Sequence, residues 1–346
     1  MKNIKLLTLF IIIPLLYLYS CAGNVNIMTY GRSAISERIY NYWFTTYKAY
    51  FLSSIEETED TEKFWTTKVN PGSDLTMDGY FKNIININVM KNLVCLKLFD
   101  DNNLKLPDDV YKKIGDDMND IISSYGGRAE FNKYLSAYNI NDRIYKEIMI
   151  IQEKINFLYQ YLYGAGGIVK LTDDEIENYF INNYYRIKYI SVNLFDIDEN
   201  GRAADISNDE RLKRIGYANN IYNEIINGAD FNGFFLENPN ELLTEYPNGL
   251  YFSNANKGSH IVFDTAAGME INEVKLITDE YVVYIVIRLP LETKPYMNDD
   301  QQFYDLISLC SQELFQEKLY EYIDEVVINE NIMKNYSLQT SQANYQ

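Results

Sequence analysis

Apolar residues recur with two periods along this chain, and each period predicts a different element. Helical spacing is the commoner. After a break at Gly31-Arg-Ser33, a helix is predicted from Ser36, with Ile39, Tyr42, Trp43, Tyr47 and Phe51 on one face. Others are predicted over Met77–Phe99, Asp108–Ser124 and Ala129–Leu135. A long one is capped by Asn141, and its Ile144, Ile148, Ile151, Ile155, Leu158 and Leu162 form a stripe that needs partner helices. Thr172-Asp-Asp-Glu175 is a capping box that opens a helix carrying Ile176, Tyr179 and Phe180. From Asn208, Leu212, Ile215, Tyr222 and Ile225 share one side, and Asn227-Gly228 stops the helix. A last helix is predicted from Asn298 to about Tyr322, with Phe303, Ile307, Cys310 and Leu314 on its apolar face. Strand alternation is confined to a few places: Asn24–Tyr30, Arg186–Val192, Tyr281–Ile287 and Val326–Asn331. The tail to Gln346 is polar and is expected to be loose.

The stretch from Tyr185 to Leu289 has a distinctive order. The strand Arg186-Ile-Lys-Tyr-Ile-Ser-Val192 is followed by the helix from Asn208 and by Ala229-Asp-Phe231. Next come Asn248-Gly-Leu-Tyr-Phe252, Phe263-Asp-Thr-Ala-Ala267, Asn272-Glu-Val274 and the strand Tyr281–Ile287. This order resembles a parvulin-type peptidyl-prolyl isomerase domain. Upstream, Ser124-Tyr-Gly-Gly127, a short helix with Phe131 and Leu135, and Asn139-Ile-Asn-Asp-Arg143 opening a long helix resemble the chaperone domain of SurA-like and PrsA-like foldases. The resemblance implies an α+β fold: a helical chaperone lobe made by the N-terminal helices and the C-terminal helix, with an inserted parvulin-like α/β domain. The implied segments are a signal peptide at 1–20, a helical domain at 21–184, the isomerase-like domain at 185–290, and a C-terminal helix with its tail at 291–346.

The same resemblance shows what has been lost. Parvulins surround the prolyl peptide with apolar walls and a polar cluster that includes two histidines. Aligned on the family, the first His falls at Tyr189 and the second at Ile285. The chain has one His, His260, which reads as a loop or helix-start residue. The resemblance leaves Tyr189, Tyr251, Phe252, Met269 and Tyr284 as a candidate peptide pocket, with the catalytic residues unassigned.

Lys2 and Lys5 followed by an apolar run from Leu6 to Leu18 read as a targeting segment. Leu18-Tyr-Ser-Cys21 then resembles a bacterial lipobox, with Cys21 as the lipidated residue. Tyr19 departs from the strict pattern, and the alternative is an ordinary secretory signal cut elsewhere. The expected location is outside the cytoplasm, on a bacterial membrane.

Charge narrows the partners. A net charge of −18 repels nucleic acid and anionic head groups, so neither is an expected partner. Tyr is abundant at 32 residues, in line with the Asn, Ile and Lys usage of an AT-rich genome. The acidic run Glu56–Glu62 reads as a solvated loop. Cys95 and Cys310 sit among apolar residues and read as buried small hydrophobes. One His and no Cys-x-x-Cys give no support for zinc, and Gly164–Gly167 lacks the partners of a phosphate loop. No cofactor is expected. The leading expectation is a membrane-anchored foldase that binds unfolded exported polypeptides. An active isomerase with an altered polar cluster and a non-catalytic surface lipoprotein are the rivals.

Overall fold

A computed structural model of the chain describes residues 25–53, 61–199, 201–237, 245–298 and 301–342. The chain divides into two units, 1–170 with 313–346, and 171–312. The targeting segment, Cys21 and most of the acidic run lie outside the described residues.

The first unit is built on helices with a small sheet. β1 (Asn26–Tyr30) turns at Gly31 into β2 (Ser33–Ser36), and β9 (Val327–Ile328) pairs with the other side of β1. Gly31 has a φ of 58°, the left-handed region where glycine is least strained. The helices are α1 (Glu37–Ser53), α2 (Thr61–Thr66), α3 (Met77–Asp101), α4 (Asp108–Ser124), α5 (Arg128–Ser136) and α6 (Asp142–Tyr163). Asn141 caps α6 by accepting the Ile144 amide at 3.1 Å, as its position in the sequence predicts. The α6 stripe is buried at Ile144, Ile151, Leu158 and Leu162 and half-buried at Ile148 and Ile155.

The second unit carries a four-stranded antiparallel sheet in the order β6-β3-β8-β7. Its strands are β3 (Tyr184–Asn193), β6 (Leu250–Ser253), β7 (Val274–Thr278) and β8 (Val282–Leu289). A small hairpin, β4 (Phe195–Ile197) and β5 (Ala203–Asp205), follows β3. α7 (Asp173–Asn183) leads straight into β3 and begins with the predicted capping box: Thr172 accepts from the Glu175 amide, and the Glu175 carboxylate accepts from the Thr172 amide. α8 (Asn208–Ile226) and α9 (Phe231–Glu237) cover one face of the sheet, and α10 (Ile261–Ala267) covers the other. The chain is thus of mixed α+β class, as expected.

Three expectations of single elements need correction; separately, the expected segment ends at 184 and 290 both fall inside the second unit. The reason is a cluster in which Phe180 and Tyr184 pack with Tyr251, Phe303 and Leu306, so that α7 and the segment after the sheet join the second unit. The last long helix, α11, runs over Leu306–Tyr320 rather than from Asn298. Its Leu306 belongs to that cluster, whereas Phe315 and Leu319 join Val94, Phe99 and Leu158 in the first unit. On α8 the buried residues are Ala218, Ile221 and Ile225, and Leu212 is 67% exposed. Finally, the residues after β9 are not a loose tail: α12 (Glu330–Met333) follows, and Leu338 is fully buried.

Candidate functional site

In β3, side chains alternate between the two faces of the sheet, so Ile187, Tyr189 and Ser191 share one face. The β3–β8 register pairs Ser191 with Tyr284 and Tyr189 with Val286, which places Tyr284 on that face too. The rings of Tyr189 and Tyr284 meet edge to face at 5.6 Å. This is a favoured aromatic geometry; Tyr189 is half-buried and Tyr284 is 8% exposed.

α10 supplies the third ring. Its N-cap is His260, whose Nδ1 accepts the Val262 amide at 3.2 Å. A nitrogen that accepts carries no proton, so the neutral ring holds its proton on Nε2. Nε2 lies 3.4 Å from the Tyr284 hydroxyl oxygen and donates toward it. The His260 ring stands at 82° to that of Tyr284, with centroids 5.4 Å apart, and Phe263 lies 5.7 Å away on its other flank. Upstream, the Asp264 carboxylate accepts the Gly258 amide at 2.7 Å and ties down the turn that presents His260. Phe263 stacks on Phe252 at 4.7 Å, and Phe252 on Tyr185 at 5.1 Å. Burial pushes the Tyr284 hydroxyl above the usual phenol range, with Asp279 and Tyr189 adding to the effect. It therefore stays protonated at neutral pH and can donate a hydrogen bond.

Not all the expected site residues meet here. Tyr189 and Tyr284 do. Phe252 and Met269 are only 3% and 2% exposed, so they lie beneath the aromatic surface instead of lining it. Tyr251 is on the opposite face, as strand alternation from Phe252 requires, and its hydroxyl donates to Glu292 at 3.2 Å. Ile285, where alignment put the second His, is fully buried on the other face against α8 and α9. Directly opposite Tyr189 is Val286, and Tyr284, one position before Ile285, lies diagonally from Tyr189 on the same face. His260 does start a helix, as expected, but its side chain also completes the cluster. The signal was its spacing of three residues from Phe263, which puts N-cap and ring on neighbouring positions of one helix face.

Asn272, in the turn before β7, has a φ of 67°. Asn tolerates this left-handed conformation better than most residues with a side chain. Its amide donates to the Arg288 carbonyl at 2.7 Å and joins the turn to β8.

No protein-family model matches the chain, and no curated protein matches it. Solved structures of PrsA foldases are similar to it. The foldase protein PrsA of Streptococcus pneumoniae is 16% identical over 77% of this chain and 96% of its own, with a TM-score of 0.25. The peptidylprolyl isomerase PrsA of Bacillus anthracis is 17% identical over 69% and 95%, with a TM-score of 0.27. PrsA of Bacillus subtilis is 17% identical over 78% and 92%, with a TM-score of 0.24. Likenesses this distant fix neither activity nor partner. Among the described residues, no helix is long and apolar enough to cross a membrane, and no group of three or more His, Cys, Asp or Glu could hold a metal ion.

Proposed function

We propose that the protein is an extracytoplasmic foldase, anchored through Cys21, that binds proline-containing segments of unfolded exported polypeptides on the Tyr189–Tyr284–His260 surface. The observation that carries this reading is the grouping of those three side chains with Phe263 on one face of the sheet. Apolar rings suit a pyrrolidine ring, and their polar tips suit the flanking amides.

Binding is the larger part of this activity, and catalysis the smaller. Amide resonance sets a barrier of about 18–20 kcal/mol to rotation of the peptide bond. A site lowers it by holding the twisted amide better than the planar one. A hydroxyl aimed at the prolyl nitrogen would do so, because the nitrogen lone pair becomes available only when the amide twists. The Tyr284 hydroxyl is a donor of this kind, but its contact with His260 is long at 3.4 Å. Isomerase activity is therefore expected near background. The contact itself favours a second reading, in which Tyr284 and His260 form an altered but working polar cluster.

Exchange spectroscopy on a proline-containing peptide, with the full chain added, separates the two. The first reading expects peptide binding, with cis–trans exchange close to its uncatalysed rate. Strong acceleration that disappears in both Tyr284→Phe and His260→Ala would establish the second. If the peptide neither binds nor exchanges faster, both fall. For the anchor, Cys21→Ala is expected to move the protein from the detergent phase to the aqueous phase on partitioning. Equal partitioning would overturn the lipid attachment.

A further inference from the structure

A cavity of about 410 Å³ opens in the second unit, where α7 meets the start of β3 and the end of β8. Its apolar wall is Phe180 and Ile181 of α7, Ile271 of the turn before β7, and Leu289 and Leu291 at and just after the end of β8. Five charged residues also line it: Glu177, Arg186, Arg288, Glu292 and Lys294. The Arg186 guanidinium pairs with Glu292 at 2.6 Å, and the Lys294 ammonium pairs with Glu177 at 3.1 Å. Arg288 makes no ion pair among the described residues. The cavity is therefore left with one unmatched positive charge, in a chain whose net charge is −18.

That charge is held in place from two sides. Arg288 Nη1 donates to the Met269 carbonyl, and the guanidinium carbon lies 5.0 Å from the centre of the Tyr185 ring, a cation–π contact. Tyr185 is itself fixed. It stacks on Phe252 at 5.1 Å, and its hydroxyl donates to Asn254 Oδ1 at 3.0 Å. A guanidinium carries five N–H donors in a rigid fork, a geometry that matches a carboxylate. One whose position is set beforehand loses little freedom when an anion docks on it. The neighbouring acids narrow the choice of anion. Glu177 and Glu292 repel a dianion such as phosphate about twice as strongly as a monoanion. The aliphatic wall suits an apolar body attached to the anionic group. The volume is at the small end of the roughly 300–1,000 Å³ typical of ligand pockets.

We propose that this cavity binds a monocarboxylate with an aliphatic body, the carboxylate on the Arg288 fork and the body against Ile181, Ile271 and Leu291. A free branched-chain acid and the last residue of a peptide chain offer the same chemistry. Tyr189, His260 and Tyr284 do not line the cavity, so the proposal does not rest on the foldase reading.

Titration of N-acetyl-leucine into the full chain, with the Ile and Leu methyl groups labelled for magnetic resonance, tests this. Saturable binding with a Kd at or below about 1 mM is expected. The methyls of Ile181, Ile271 and Leu291 should shift, and that of Ile85 in the first unit should not. N-acetyl-leucine amide has the same shape without the charge and should bind at least about tenfold more weakly. Arg288→Gln should weaken binding of the acid at least about tenfold, and Arg288→Lys, which keeps the charge and loses the fork, by a smaller factor. Lys294→Gln removes an ammonium that is already paired and should change it less than about threefold. If Arg288→Gln does not fold, the acid–amide comparison on the unsubstituted chain decides. Equal binding of acid and amide would overturn the proposal, as would no binding or shifts confined to other methyls. Inorganic phosphate should compete at least about tenfold less well than the acid binds, and equal competition would overturn the monocarboxylate assignment. A pentapeptide ending in leucine identifies the source within the proposal: at least about tenfold tighter binding than N-acetyl-leucine assigns the cavity to chain ends, and equal or weaker binding assigns it to free acids.

Discussion

The two faces of the four-stranded sheet are made by the same strands and do different work. On one, Ile190, Val283 and Ile285 are fully buried beneath α8 and α9, with Tyr222 and Tyr246 half-buried against them. On the other, Ile187 and Val286 are as deeply buried, yet the next positions along the strands are Tyr189 and Tyr284, met by His260. Alternation along a strand lets neighbouring residues answer to separate demands. The closed face supplies burial. The aromatic face supplies enough burial to hold its rings in place and leaves their tips free to vary in chemistry.

The comparison breaks most severely if the closed face proves tolerant. Ile285→Ala removes a fully buried side chain and is expected to destabilise the second unit by about 2–5 kcal/mol. Both tryptophans, Trp43 and Trp65, are in the first unit. Loss of the second unit should thus appear in far-ultraviolet circular dichroism at lower denaturant, while the tryptophan fluorescence transition moves far less. As a control on the helix that covers this face, Leu212→Ala should change stability by no more than about 0.5 kcal/mol, because Leu212 is 67% exposed.

A smaller effect is expected at the turn before β7, which hydrogen-bonds to β8 through Asn272. At a φ of 67°, Asn272→Ala should cost about 1–2 kcal/mol, since a Cβ without a polar group is strained in that region. Asn272→Gly should be neutral within about 0.5 kcal/mol, or stabilising. Denaturant midpoints of the two variants check this, and an Ala variant as stable as the Gly variant would mean that the turn changes conformation.

Much of this fold was legible because its signals are local. The Asn141 cap, the Thr172 capping box and the α6 stripe each depend on residues within a few positions, and each formed as read. Face assignment is hardest where local signal runs out. Val282-Val-Tyr-Ile-Val-Ile287 is apolar throughout but for one hydroxyl, so its pattern has no phase, and the position aligned with the second His, Ile285, faces α8 and α9 while its neighbour Tyr284 faces the other way. Tyr251 and Phe252, both expected in one pocket, are adjacent in a strand and cannot share a face. The packing of the segment after α12 was invisible for another reason. It makes its main-chain contacts with Lys48, Asp78 and Lys82, more than 250 residues away, and sequence spacing carries no trace of them.

The smallest stability effect is expected at Tyr284, and it says most about the aromatic face. Tyr284→Phe keeps the ring and its packing against Tyr189 and removes only the hydroxyl. That hydroxyl makes a long contact with a side chain that is itself exposed, so His260 can turn to water, and the cost should stay below about 1 kcal/mol. The difference should also depend on pH. Burial, then Asp279 and Tyr189, raise the folded-state pKa of Tyr284 above the ordinary value of 10.0. The folded protein therefore holds that proton more tightly than the unfolded chain does. The stability this contributes is complete below pH 10 and is lost as pH rises through the folded-state pKa. Phe carries no such proton. Denaturant midpoints of the two proteins should accordingly converge, or cross, between pH 8 and about pH 11, since the other tyrosines are common to both and cancel. A gap that widens with pH would mean that the Tyr284 hydroxyl ionises readily in the folded state. It would then be a poor donor to a peptide amide, and the aromatic face would act through its rings alone.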